Sequence, residues 1–164
     1  MQIRFGILTL SDRSARGERQ DESGPALASY ILAENCVLTR SLILPDDESS
    51  IRETLIQWAD SNEFDIILTT GSTGFAPRDV APEATRAVIQ KEAQGLTEFM
   101  RAESLKKTKH AILSRAVAGI RGETLIINLP GSPKAAVENL SFIFSVLPHA
   151  VQLLRDEPDV EAGH

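Results

Sequence analysis

Two hydrophobic rhythms alternate along the chain. Ile3–Leu10, Val37–Leu44, Phe64–Thr70, Ala111–Leu113 and Thr124–Leu129 are apolar runs rich in β-branched residues. Several of them, IILTT and LIINL included, are apolar at successive positions, as strands buried on both faces of a parallel sheet are. Between these runs the apolar positions recur at helical spacing. Pro25–Glu34 and Ala81–Lys91 read as helices. In a third, Ile51, Leu55 and Trp58 share one face behind the capping-box spacing of Ser50 and Glu53. A fourth opens at Pro133 with Ser132 as its N-cap. Its stretch AAVENLSFIFSVL is apolar nearly all round, which predicts burial or a subunit interface, and Pro148 is expected to break it near Leu147. Strands alternating with helices predict an α/β fold of three layers, α/β/α, with a mostly parallel sheet. Residues 1–156 are expected to form a single domain and residues 157–164 a frayed tail.

Composition narrows the function classes. The chain has 164 residues, 42% hydrophobic and 24% charged, an ordinary globular balance with enough length for a sizeable core. A formal net charge of −6 argues against a broad nucleic-acid or membrane-surface partner, which needs a basic face. Cys36 is the only cysteine, so no intrachain disulfide or cysteine zinc site is available, and its apolar setting predicts a buried structural thiol. MQIRFGILTLSD lacks the pattern of a signal peptide, and no run approaches the ~18 apolar residues of a membrane span. A cytoplasmic location is expected.

Candidate chemistry gathers where strands end. Gly71-Ser72-Thr73-Gly74 follows a strand and precedes a helix, with glycines that admit positive φ and hydroxyls that suit phosphate oxygens. It has neither the lysine of a Walker loop nor the spacing of a dinucleotide fingerprint, and a plain turn would read the same. Asp79 either caps the helix from Ala81 or holds Mg²⁺ beside bound phosphates. Asp46 and Asp47 are either an acidic turn that caps the next helix or ligands for the same metal. Ser11-Asp12, Ser114-Arg115 and Asn128-Leu129-Pro130-Gly131-Ser132-Pro133-Lys134 repeat the arrangement, each alone explicable as a turn or surface charge. Five such strand ends together predict one polar cleft along the carboxyl edge of the sheet, where open α/β sheets bind ligands. His110 and His149 lack partners at metal spacing and read as structural.

Taken together, TLSDRSARGERQDESG, ILPDDE, TTGSTGFAPRDVAPEAT, ILSRAVAGIRG and LIINLPGSPKA resemble the molybdopterin adenylyltransferase family, the MogA-type proteins of molybdenum cofactor biosynthesis, similar to the N-terminal domain of gephyrin. The resemblance runs in order from Ile3 to Leu154. It implies the fold of that family and transfer of AMP from ATP to the terminal phosphate of molybdopterin, with Mg²⁺ as cofactor. It also implies Asp46 and Asp79 as catalytic and metal-holding residues, with Asp47 and Asp12 as further candidates. Gly71, Ser72, Thr73, Gly74, Pro130 and Gly131 would bind the nucleotide. Ser11, Asp12, Ser114, Arg115, Ser132 and Lys134 would receive the pterin phosphate. A homotrimer and transient contact with a molybdate-inserting protein are implied as well. Two departures stand out: Ser72 and Ala81 replace a glycine and a threonine of the family pattern. Serine at a position that needs positive φ is expected to strain the loop and lower nucleotide affinity. That favours an alternative, a non-catalytic carrier or scaffold that binds molybdopterin; an adenylyltransferase for another phosphorylated acceptor is a third reading.

Overall fold

The computed structural model describes residues 2–156; the expected tail and His164 lie outside them. In chain order, strand β1 (Arg4–Leu10) leads through a single helical turn, α1 (Asp12–Ala15), to helix α2 (Ser23–Ala33) and strand β2 (Val37–Leu44). Helix α3 (Glu48–Asp60), strand β3 (Ile66–Thr70), helix α4 (Ala81–Val88) and the short β4 (Lys91–Glu92) follow. Helix α5 (Gln94–Leu105), strands β5 (Ala118–Arg121) and β6 (Thr124–Leu129), and helices α6 (Pro133–Ile143) and α7 (Leu147–Leu154) complete the described residues. The sheet order is β2-β1-β3-β6-β5-β4. The first four of these strands are parallel, and β5 and β4 add an antiparallel edge. The three-layer, mostly parallel α/β sheet expected from the pattern is therefore present.

The successive apolar residues of the central strands divide between two cores, because neighbouring side chains point to opposite faces. Phe5, Ile7, Ile66, Leu68, Ile127 and Leu129 pack with α2, α6 and α7 on one face. Leu8, Ile67 and Ile126 pack with Ile51, Leu55 and Trp58 of α3 and with Ala81, Ala84 and Val88 of α4 on the other. Gly6 lies beneath the stacked rings of Trp58 and Phe64, whose centroids are 4.7 Å apart. A Cβ at Gly6 would meet both rings at 2.8 Å, so the strand carries no side chain there.

Several expectations are corrected. Val37–Leu44 is a strand but an edge one, with Thr39–Ile43 exposed. Ala111–Leu113 is not a strand; it belongs to a 3-10 turn, Lys109–Leu113. The helix from Ala81 stops at Val88, since Ile89 adopts an extended backbone (ψ 149°) that feeds β4. Helix α3 begins at Glu48, capped by Asp47, whose carboxylate accepts the Ser50 N–H, in place of the Ser50–Glu53 box. The long C-terminal helix breaks into α6, a 3-10 turn at Phe144–Val146, and α7, which Pro148 helps to begin. By length and composition Pro133–Leu154 would suffice for a membrane span, contrary to expectation. Its apolar face, Ala136, Leu140, Ile143, Leu147 and Val151, is spent on the core. Cys36 is half-buried, and burial pushes its thiol above the usual range.

Candidate active site

The parallel strands point their carboxyl ends the same way, so the loops after β1, β2, β3 and β6 meet along one edge. Their junction is close-packed backbone. Gly71 sits at φ +95°, and its N–H reaches the Leu129 carbonyl at 3.1 Å. A Cβ on Gly71 would lie 2.5 Å from the Leu10 carbonyl oxygen, and one on Gly131 would lie 3.2 Å from the Gly71 Cα. The Thr70 hydroxyl donates to the Pro130 carbonyl at 2.7 Å, tying β3 to the loop after β6. Three loops thus touch at Gly71, where only glycine leaves room, and Gly131 is tightly packed against it.

The loops after β1 and β2 are joined by two aspartates. The Asp12 N–H donates to Asp46 Oδ2 and the Asp46 N–H to Asp12 Oδ1, both at 3.0 Å. Arg78, reaching across from the loop after β3, grips Asp12 through Nε and Nη2 at 2.9 and 3.0 Å. That bidentate contact, aided by the Asp46 N–H, holds the Asp12 carboxyl below the usual carboxylate range against the upward push of desolvation. Hydrogen bonds from the Ser50 hydroxyl and N–H likewise lower Asp47. The Ser11 hydroxyl accepts from the Ser14 N–H and caps the turn α1.

The loop after β3 closes on itself. Asp79 does not cap α4. Its Oδ2 accepts the Ala76 N–H at 3.0 Å, and its own N–H donates to the Ala76 carbonyl at 2.9 Å. The N-cap of α4 is Val80, which supplies no side-chain bond. Arg115 braces the loop from outside: Nε donates to the Gly74 carbonyl at 2.8 Å, Nη2 to the Asp79 carbonyl at 2.9 Å, and Nη1 to Glu83 Oε1 at 2.7 Å. Its backbone N–H donates to the Thr73 carbonyl at 2.9 Å.

Two hollows result. A polar cleft of about 220 Å³ is lined by Ser11, Asp46, Gly71, Ser72, Asp79 and Gly131, together with Thr9, Arg19, Asp21 and neighbouring residues of the loop before α2. A second hollow of about 230 Å³ is lined by Pro130, walled by Met100, Ala111, Ala116 and Ala135 and edged by Ser114, His110 and Asn139. The expected site residues are therefore divided: Ser114 and Pro130 face the second hollow and not the first. Asp12, Asp47, Thr73, Gly74, Arg115, Ser132 and Lys134 line neither; Asp12 is spent on Arg78 and the Asp46 N–H, and Asp47 on Ser50. Ser132 spends its hydroxyl capping α6, accepting from the Ala135 N–H at 3.1 Å, and Lys134 is exposed, 4.0 Å from Glu138. Arg19 and Asp21 were not singled out from the sequence. Their signal was only the density of charge and hydroxyl groups in ARGERQDESG. Asp21 accepts the Thr9 hydroxyl at 2.8 Å and the Gly24 N–H at 3.1 Å, which fixes that loop over the end of β1.

Asp46 and Asp79 each commit Oδ2 to a backbone N–H and keep Oδ1 without a hydrogen-bond partner among the described residues. Both line the same cleft. No group of three or more His, Cys, Asp or Glu is placed to hold a metal among the described residues. Two carboxylates fit Mg²⁺, which completes its octahedron with phosphate oxygens and water, and do not fit a dedicated all-protein metal cage.

Comparison with known proteins agrees with this geometry. A family model described as "Probable molybdopterin binding domain" matches residues 6–149. The chain is 44% identical over 156 residues to the Helicobacter pylori protein named molybdopterin adenylyltransferase, covering 93% of this chain and 88% of that one. It is 39% identical over 178 residues to the Escherichia coli protein of the same name, covering 98% and 89%. It is also 47% identical over 157 residues to the molybdenum cofactor synthesis protein cinnamon of Drosophila melanogaster, covering 94% of this chain but only 26% of that one. The share of Dictyostelium discoideum gephyrin is similar, 23%. The chain thus spans about a quarter of those two relatives and nearly nine tenths of the bacterial ones. Among solved structures, the molybdopterin biosynthesis enzyme MoaB from Thermus thermophilus superposes with a TM-score of 0.90 at 48% identity, covering 96% of this chain and 99% of that one. With residues 6–149 matched and full-length bacterial relatives well above 30% identity, the chain belongs to the molybdopterin-binding domain family.

Proposed function

We propose that this chain is a molybdopterin adenylyltransferase of molybdenum cofactor biosynthesis, using ATP and releasing pyrophosphate. The observation that carries the reading is the cleft itself. The carboxylates of Asp46 and Asp79 face the same space as the Gly71 and Gly131 backbone, with one oxygen of each uncommitted. The names printed for the Helicobacter pylori and Escherichia coli relatives support it.

The chemistry suits these residues. A terminal phosphate oxygen of molybdopterin attacks the α-phosphorus of ATP and forms a P–O–P bond. The bond from that phosphorus to the bridging oxygen of the β-phosphate breaks, and pyrophosphate leaves with the electron pair. The attacking group is already an anion, so no base has to remove a proton, and the task is positioning against charge repulsion. Gly71 and Gly131 let backbone approach the phosphates, and Arg19 brings a cation to the cleft. Asp46 and Asp79 would hold Mg²⁺, which when bound supplies charge neutralisation between the phosphate groups. The hollow that Pro130 lines, with apolar walls and the amide and hydroxyl of Asn139 and Ser114 at its edge, takes the flat pterin. Arg115 serves by bracing the loop that carries Asp79. The protein acts in the cytoplasm as a homotrimer and passes its product to a molybdate-inserting protein.

The test is anaerobic incubation with molybdopterin, ATP and Mg²⁺, with the adenylylated product followed by mass spectrometry. Product is expected, and it is expected to vanish with EDTA. Asp79→Asn should reduce turnover by at least about 100-fold. The fold should survive, because the amide oxygen can still accept the Ala76 N–H. Full activity in that variant would remove Asp79 from the mechanism, and pterin bound without any product would favour the carrier reading.

A further inference from the structure

Ser72 stands at φ +62°, one of four non-glycine residues at positive φ among the described residues. The other three, Asn35, Asn62 and Asp156, are of the residue types that tolerate this region. Serine is held there by what it bonds. Its Oγ accepts the Val80 N–H at 2.9 Å, and its carbonyl accepts the Ala81 N–H at 3.0 Å. Those two N–H groups open α4, whose own N-cap residue offers no side chain. A residue eight positions upstream therefore does the work of a helix cap. The bonds also close residues 72–80 into a ring, braced at Gly74 and Asp79 by Arg115. Asp79 is adjacent to the latched Val80.

We propose that Ser72 is a positioning residue of the polar cleft. Its hydroxyl latches Val80 and so holds the Asp79 carboxylate and the Gly71 turn in the ligand-ready arrangement before any ligand arrives. The identity of that ligand as a nucleotide rests on the adenylyl-transfer reading above. An unfavourable φ persists only where surrounding bonds over-determine it, and a loop ordered in advance spares the ligand the cost of ordering it. Serine at this position thus strengthens binding, the reverse of what its backbone strain alone suggests.

Two variants separate the terms. Ser72→Gly removes the strain together with the latch, whereas Ser72→Ala removes the latch and keeps the strain. Three quantities are measured: amide hydrogen exchange of the unliganded chain, the Kd for MgATP by calorimetry, and the thermal midpoint. The Val80 N–H loses its partner in both variants and should exchange about tenfold faster or more. The Ala81 N–H keeps its carbonyl acceptor and serves as the internal reference. MgATP binding should weaken about three- to tenfold in Ser72→Gly and further in Ser72→Ala, with little change of midpoint in the glycine variant. A merely structural role would move the midpoint and leave Kd alone. The proposal is overturned if Ser72→Gly binds MgATP as tightly as the parent or more tightly, or if Val80 exchange is unchanged. A parent chain that binds no MgATP and forms no adenylylated product overturns the adenylyl-transfer reading instead, and the exchange rates then decide the latch on their own.

Discussion

At Gly71 a single hydrogen decides whether three loops can meet. Alanine there would adopt φ +95° at a cost of about 1–2 kcal/mol and press its Cβ to 2.5 Å from the Leu10 carbonyl oxygen. Adding the usual overpacking cost of about 1–3 kcal/mol, Gly71→Ala should lose about 2–5 kcal/mol, read as a lower urea midpoint at unchanged slope. Gly95 is the control: it lies in α5 with nothing within 4 Å of a built Cβ, and alanine there should be neutral or gain about 0.5–1 kcal/mol. A loss at Gly95 equal to that at Gly71 would refute the steric account. The TTGSTG stretch announced this crowding by its glycines. It did not announce Ser72 as a cap for α4, because the acceptor and the two N–H groups are eight and nine residues apart and meet only once the loop has closed.

Among the elements, β1, β3 and the end of α7 are clamped by one buried carboxylate. Asp65 accepts the Arg4 N–H at 2.8 Å, Arg4 Nη2 at 3.0 Å and Arg155 Nη2 at 2.6 Å. Burial pushes its carboxyl upward, but the hydrogen bonds from Arg4 and Arg155 outweigh it and leave the group below its ordinary value. A depressed carboxylate contributes stability above its unfolded pKa, about 3.9, and that contribution falls away as pH drops through the folded value. Wild-type stability measured by urea should therefore decline below about pH 4, and Asp65→Asn should show a flatter decline from a starting point about 1.5–3 kcal/mol lower. Equal slopes would show that other carboxylates govern acid unfolding. Legibility at this scale followed burial. IILTT and LIINL, apolar on successive residues, read as two-faced strands, and they are. VLTRSLIL, with Thr39, Arg40 and Ser41 at its centre, reads as a strand but not as a two-faced one, and it forms the β2 edge of the sheet. AGIR carries little strand signal because three of its four residues are small or charged, and α5 little helix signal because its apolar positions are sparse. The division of the site residues between two hollows was hidden as well. Pro130 and Gly131 are adjacent in sequence yet line different hollows.

For the whole molecule the governing fact is sign. Under the proposed function, a chain of net charge −6 offers a cleft edged by Asp46, Asp79 and Asp21 to substrates that are themselves polyanions. Arg78, the cation beside it, is already bound to Asp12, which leaves Arg19 as the cation lining the cleft itself. Phosphate sites built from lysine and arginine lose affinity steeply as salt rises, because salt screens an attraction. Here the long-range term is repulsive, so screening should help. Free ATP, measured by calorimetry in EDTA, should bind weakly, and its affinity should hold or improve as NaCl rises from about 0.02 to 0.2 M, where the screening length shrinks to under about 10 Å. If Asp46 and Asp79 hold Mg²⁺ as proposed, adding it at constant ionic strength should tighten binding by about tenfold or more, because the cation would offset the charge of both the carboxylates and the triphosphate. A steep loss of ATP affinity with salt in EDTA would mean that surface cations govern binding and that Asp46 and Asp79 do not set the electrostatics of the cleft.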